Sequence, residues 1–209
     1  MRPPCGLSRS PASGVIPGVD GGDRALVAAL RARQGSAFDE LYRRHRQRIW
    51  AFLARLTGSK HEAEDLFQDT WLAAASHAHE LAEDSALLPW LYTIARNKHR
   101  NARRARLFDF RRRERAAAEP APAVAMPDEL AAARARTAAL GEAFAQLGDA
   151  EREVLLLCLG EGLESSEVGA ILGLRNEAVR KRLSRARAEL AKLLARRNAH
   201  NVEHDGGSP

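Results

Sequence analysis

Cysteine is nearly absent from this chain: two residues in 209, too few for a disulfide framework. Cys5 lies in a Pro/Gly-rich stretch, and Cys158, inside VLLLCLG, reads as a small buried hydrophobe. Metal-ligand spacing is missing too. The seven histidines are scattered, and His61-Glu62 lacks the second histidine of a zincin, so it reads as a helix start. No G-x-x-x-x-G-K-[ST] loop occurs, and the carboxylates Glu62, Glu64, Asp65 and Asp69 share one helix side without a histidine partner. These gaps exclude ATP-driven and nuclease-like chemistry. The reading is therefore of no enzyme, with no catalytic residue, metal, cofactor or small-molecule substrate. No apolar run approaches the eighteen or so residues of a membrane span, and MRPPCGLSRSPASGVIPG has no apolar core for a secretory signal. The expectation is a cytoplasmic protein without membrane insertion. Nor does any segment alternate with period two, so strands are not expected and the fold class is all-α.

What the chain does have is segregated charge. Net charge is +6, but Arg96–Arg115 alone carries ten Lys/Arg against two acids, and Arg175–Arg197 nine against two. Those two stretches hold +15, which leaves −9 for the remainder. Two separate basic patches on an otherwise acidic chain suit two contacts with one long polyanion. Aromatic residues make up only 5%, and neither patch is backed by a bulky aromatic face, which favours nucleic acid over a membrane surface.

The second patch belongs to a recognisable arrangement. Ser165–Leu172 places Val168, Ile171 and Leu172 on one side; from about Asn176, Val179, Leu183, Ala186 and Leu190 form a stripe at i, i+4, i+7, i+11. Gly173 supplies the corner between them and Asn176 reads as an N-cap. Two short-linked helices of this kind make a helix-turn-helix, whose second helix enters the major groove. Opposite the buried stripe lie Glu177, Lys181, Ser184 and Ala188, flanked by Arg180 and Arg185. An ordinary solvated helix would show such a face as well. The glycine corner, the small residues Gly169 and Ala170, and the cationic excess tip the balance toward a DNA-reading helix.

Upstream, residues 1–22 are rich in Pro, Gly and Ser and read as a disordered tail. Asp23–Arg33 reads as a short helix, followed by a long one in which Phe38, Leu41, Tyr42, His45, Ile49, Phe52, Leu53 and Leu56 recur up to Gly58. His45 on that stripe reads as a satisfied core histidine. Ser59-Lys60-His61-Glu62 is a capping box. The helix it opens turns Ala63, Leu66, Phe67, Thr70, Trp71 and Ala74 inward and leaves Asp65, Gln68, Asp69 and a lone Leu72 on its other face. Acids around an outward leucine suit docking onto a basic partner helix. After the polar break His77–Ser85, Pro89 stands in the first turn of the next helix. Leu91, Ile94, Ala95 and the Lys98 stem face inward there; Thr93, Arg96, Asn97, Arg100 and Arg104 face outward. Trp90 and Tyr92 flank that second nucleic-acid surface, where a ring could stack on an unpaired base, though core packing is the commoner fate of such a Trp. From about Leu107 the pattern gives way to charge and Ala/Pro repeats, a linker. Helical spacing resumes at Asp128, and the last dozen residues read as a disordered tail.

At this point EDLFQDTWLAAASHAHEL with LLPWLYTIARNKHRNARRAR resembles region two of bacterial RNA polymerase sigma factors. AEREVLLLCLGEGLESSEVGAILGLRNEAVRKRLSRARAEL resembles their region four. Two blocks in this order with no larger domain between them resemble the extracytoplasmic-function (ECF) subfamily. The resemblance implies two small helical domains, region two at 23–107 and region four at 128–196, joined by a flexible linker at 108–127, with a disordered tail at 197–209. It further implies a protein that binds core RNA polymerase, directs it to promoter DNA and promotes melting, under the control of an anti-sigma factor. Asp65, Gln68, Asp69 and Leu72 fall at the core-polymerase-binding positions. His77, His79 and Trp90 fall at those that capture a flipped minus-ten base, and Arg96, Asn97 and Arg100 along that DNA. Arg175, Asn176, Glu177, Arg180, Lys181, Ser184 and Arg185 fall on the helix that reads the minus-thirty-five element. The chain departs from the pattern at Leu87, where a ring is usual, at Ala178, where Thr is usual, and at Ser165-Ser166, where a Tyr-containing pair is more typical. The alternative reading is a dimeric helix-turn-helix repressor, which would leave the Asp65–Leu72 face unexplained.

Overall fold

The computed structural model describes residues 21–110 and 138–205, and these are helical, with no strand among them. The first half contains α1 (Gly21–Arg31), α2 (Gly35–Thr57), α3 (Lys60–His77), a 3₁₀ turn at Ala78–Glu80, and α4 (Leu87–Phe110). The second half contains α5 (138–146), α6 (Asp149–Leu155), a π turn at Leu156–Gly160, α7 (Ser165–Leu172) and α8 (Asn176–Asp205).

Local chemistry sets the boundaries. Gly58 ends α2 in the left-handed region at φ 68°. Ser59 Oγ accepts the backbone N–H of Glu62 at 3.4 Å and so caps α3. Only half of the expected capping box forms, because the Glu62 carboxylate is drawn 2.6 Å from Arg106 Nη1 on α4. The packing of α3 against α4 thus outcompetes a local bond. Pro89 sits in the first turn of α4, which begins two residues earlier, at Leu87.

Inside the first half, Leu41, Ile49, Phe52, Leu53, Leu56, Leu91 and Tyr92 are fully buried. Trp71 packs edge-on against Phe38 and Tyr42, with ring centroids 6.0 Å and 4.8 Å apart. In the second half, Val154, Leu157, Val168, Val179 and Ala186 are buried, so the stripes expected on α7 and α8 do meet; Leu183 and Leu190 are half-buried at its edge.

Several expectations need correction. His45 is not satisfied: its Nε2 is buried with no hydrogen-bond partner among the described residues, and burial holds its pKa below the ordinary value. Asn176 is the first residue of α8, while the carbonyl of Arg175 accepts the first helical N–H, from Val179, so Arg175 holds the capping position. The helix α4 runs to Phe110, past the expected start of the linker. The helix α8 continues to Asp205 where a disordered tail was expected, since no breaker precedes Gly206-Gly207. Residues 1–20 and 111–137 lie outside the described residues, and with them Cys5, most of the linker and the helical spacing from Asp128 to 137.

The two halves touch. Helix α4 lies on α7 and α2 on the π turn, and their buried apolar side chains belong to one cluster.

Candidate nucleic-acid interface and docking face

Three groups of residues carry the expected sites. The first is on α3. Its inward residues are buried and Phe67 half-buried, which fixes the rotation of the helix and turns Asp65, Gln68, Asp69 and Leu72 to solvent together. Leu72 is 68% exposed, more than any other large apolar side chain described. Its acidic neighbours are only loosely engaged: Asp65 is 4.0 Å from His61 Nδ1 and Asp69 3.9 Å from Lys98 Nζ. Ion pairs so long and so exposed contribute little to stability. The carboxylates are free to meet a cationic partner around one apolar contact.

The second group is on the helix-turn-helix. Gly173 adopts φ 67°, and the N–H groups of Gly173 and Leu174 both reach the Gly169 carbonyl to close the end of α7. Gly169 itself must be small, because a Cβ there would lie 2.7 Å from the Leu174 carbonyl oxygen. With the corner fixed, burial of Val179 and Ala186 sets the rotation of α8. Arg175, Asn176, Glu177, Arg180, Lys181, Ser184 and Arg185 are then all exposed. Glu177 and Lys181 pair at 2.7 Å across one turn, a contact worth only ~0.3–0.5 kcal/mol at the surface. Arg187 is also exposed, and lines a groove with Cys158, Leu159 and Leu163.

The third group, the 3₁₀ turn and α4, is not assembled as the sequence suggests. His77 is half-buried, with its Nδ1 3.3 Å from Glu80, and exposed His79 also lies beside Glu80. Trp90 is half-buried and packs on the core. Tyr92, expected to flank the DNA surface, is fully buried against Phe52, ring centroids 5.0 Å apart. Asn97 is half-buried and Arg100 exposed. Arg96, expected to point outward, is only 9% exposed. Its Nε donates to Glu153 Oε2 at 2.8 Å and its Nη1 to the Ile171 carbonyl at 3.4 Å. The surface that an isolated α4 would expose is the one on which the second half lies.

A neighbouring contact has the same character. The Glu161 side chain, 4% exposed, sits between Arg48 (3.3 Å), Arg55 (3.0 Å) and the Tyr92 hydroxyl, which donates to it. Desolvation, reinforced by the Glu161 carboxylate, pushes the Tyr92 phenol far above its ordinary range. Arg152 donates to the Leu56 carbonyl at the end of α2, at 3.3 Å. Removing one partner of a buried pair such as Arg96–Glu153 typically costs ~3–5 kcal/mol, since the other charge is left without compensation. These contacts were missed because each joins residues roughly a hundred positions or half that apart. One signal was available: Glu153 interrupts an otherwise apolar helix face, and a carboxylate there needs a partner.

Comparison with known proteins accounts for the layout. The Sigma-70 region 2 model matches residues 41–107, and the Sigma-70, region 4 model matches 137–190. RNA polymerase sigma factor NccH of Alcaligenes xylosoxydans xylosoxydans is 35% identical over 178 residues, 82% of this chain and 94% of that one. The chain belongs to the ECF group of RNA polymerase sigma factors. CarQ of Myxococcus xanthus is 36% identical over 78% of this chain and 94% of its own length, and the ECF sigma factor SigL of Mycobacterium tuberculosis 31% over 76% and 89%. Among solved structures, CnrH bound to the cytosolic domain of CnrY matches with a TM-score of 0.61 and 31% identity, covering 83% of this chain and 97% of that one. RpoE bound to the anti-sigma factor NepR, from Bartonella quintana, also gives 0.61, at 27% identity, covering 76% and 96%. Both are sigma factors held by a second protein. Region two of this sigma factor is thus built on α2–α4 and region four on α5–α8.

Proposed function

We propose that this ECF sigma factor binds core RNA polymerase through the α3 face, reads the minus-thirty-five element with the start of α8, and holds the melted minus-ten strand along the 3₁₀ turn and α4. The observation that carries the reading is Leu72, exposed among Asp65, Gln68 and Asp69 on a helix whose other face is fully used by the core. An apolar side chain left out of a complete core, within an acidic rim, suits a basic helix of a partner with an apolar centre. A dimeric repressor that paired through this face would have to set the acidic rim against a copy of itself, like charge against like.

Promoter opening follows from binding alone. Extruding a base costs a few kcal/mol, which capture of the unstacked strand offsets. Region four supplies the duplex anchor: the seven exposed residues at the start of α8 combine long cations for phosphate with Asn, Ser and Glu groups for base edges. Regulation by an anti-sigma factor is supported by the two relatives of known structure, each solved with its partner.

Exchange of Asp69→Arg together with Leu72→Glu tests the docking face. Co-purification with core polymerase should be lost while the helical circular dichroism stays at the wild-type level, because neither side chain contributes to the core. Retention of wild-type co-purification would place the docking surface elsewhere.

A further inference from the structure

Resting on the reading of the 3₁₀ turn and α4 as the minus-ten surface, we propose that α1 braces the strand-capturing loop between α3 and α4, and that Arg31 is the positioning residue through which it acts. Helix α1 lies ahead of residues 41–107, the part that matches region two. It is nevertheless built into that domain. Leu26, Val27 and Leu30 are buried, and the helix packs on both α2 and the 3₁₀ turn. On the α2 side, Arg44 Nη1 is 3.7 Å from Asp23. On the loop side Arg31, in the last turn of α1, donates from Nη1 to Glu83 Oε1 at 2.9 Å. One short helix thus ties the loop to α2.

The loop has little of its own to hold it. Its 3₁₀ turn is closed by a long bond from the Leu81 N–H to the Ala78 carbonyl, 3.4 Å, and beyond it the Ser85 N–H reaches the Ala82 carbonyl at 3.1 Å. Ala78 and Leu81 are buried on its inner side, whereas His79, Glu80, Ala82, Glu83 and Asp84 are exposed. Among the described residues, Arg31 is the one side chain that hydrogen-bonds to the stretch 81–86. A loop that becomes ordered only as the strand arrives weakens binding by the entropy it loses. A contact that orders it beforehand removes that penalty. The pair is exposed, its side chains 40% and 87% accessible, so it adds little to global stability. Its effect is local: burial of Leu81 holds the inner edge of the loop, and Arg31 holds the outer one.

The test is the affinity of reconstituted holoenzyme for a fluorescent single strand carrying the minus-ten sequence that the wild-type holoenzyme selects from random DNA. It is read at high salt, where changes in net charge are screened. Arg31→Ala removes a cation and Glu83→Ala an acid, so a purely electrostatic effect on DNA would push the affinity in opposite directions. Loss of the brace pushes both the same way. Each variant should weaken strand binding about two- to fivefold, the range open to one exposed ion pair, and the two together should do no worse than either alone. Binding of the upstream duplex and co-purification with core polymerase should stay at the wild-type level. In the free protein, amide hydrogen exchange over 78–86 should be faster in Arg31→Ala, with that of α3 and α4 unchanged. Unchanged strand affinity or unchanged loop exchange in Arg31→Ala, opposite signs for the two variants, or losses that add in the double variant overturn the brace. His79→Ala and Arg100→Ala check the minus-ten reading separately. Should both leave strand affinity unchanged while Arg31→Ala still speeds exchange of the loop, that reading fails and the tether between α1 and the loop stands.

Discussion

Lys181 illustrates how far a single exposed residue can be assigned. It stands opposite the buried stripe of α8, 2.7 Å from Glu177, with both side chains about 70% exposed. Breaking that surface pair costs little, so the effect of Lys181→Ala reports on DNA and not on folding. A lost base contact should weaken binding by ~1–3 kcal/mol on the upstream element that the holoenzyme selects from random DNA, and much less on a scrambled one. Equal weakening of both, with a salt slope shallower by about one, would make Lys181 a phosphate anchor instead. Gly169 is the opposite case, a residue whose role is set by what cannot be there. A methyl group would have to displace the Leu174 backbone by several tenths of an ångström. Overpacking of this kind costs ~1–3 kcal/mol. Gly169→Ala should therefore lower the melting temperature of the region-four helices, and an unchanged melt would mean that α7 can shift without loss.

At the scale of elements the sequence was legible wherever the determinants lie within one helical turn. Gly58, Ser59, Pro89 and Gly173 punctuate the chain where expected, and the stripes on α2, α3, α7 and α8 are the buried ones. The exposed six at the start of α8, with Arg175 at its cap, and the four on α3 follow from that rotation alone. Helix α4 was legible only in part. Its period places Leu91 and Ala95 inward correctly, but amphipathic reading treats the far side as solvent, and here α7 covers it. Arg96 was misjudged for that reason; Tyr92 instead belongs to the inward side of α4 with Leu91 and Ala95, packed on Phe52 of α2. Glu62 shows the same limit at a smaller scale: its partner Arg106 is 44 positions away, beyond any local motif. Where local chemistry does decide, it can be tested. Ser59→Ala removes the cap of α3 and should cost ~1 kcal/mol, seen as a lower midpoint in urea. A midpoint unchanged within error would mean that packing of α3 on α4 holds the helix start unaided.

Among the described residues of the whole molecule, two imidazoles are held away from their ordinary titration. His45 on α2 and His99 on α4 are both held below the ordinary pKa of 6.5, chiefly by burial. His99 is 4% exposed, its Nδ1 has no partner among the described residues, and charges from three helices face it: Glu62 of α3, Arg103 of α4, and Arg152 and Glu153 of α6. His45 faces Asp23, Arg44 and Arg48. In both cases the folded protein favours the neutral ring, whereas the unfolded chain takes up protons near 6.5. Below that value the unfolded state binds more protons than the folded one, so stability is full above about pH 7 and falls as pH drops through 6.5 toward the lowered folded values. Melting temperature should accordingly decline between pH 7 and 5.5, before the carboxylates titrate. His99→Gln, which keeps polar reach without a titrating ring, should flatten that decline, and His45→Gln with it should flatten it further. A melting temperature independent of pH over this range would mean that both rings stay solvated enough to protonate in the folded state.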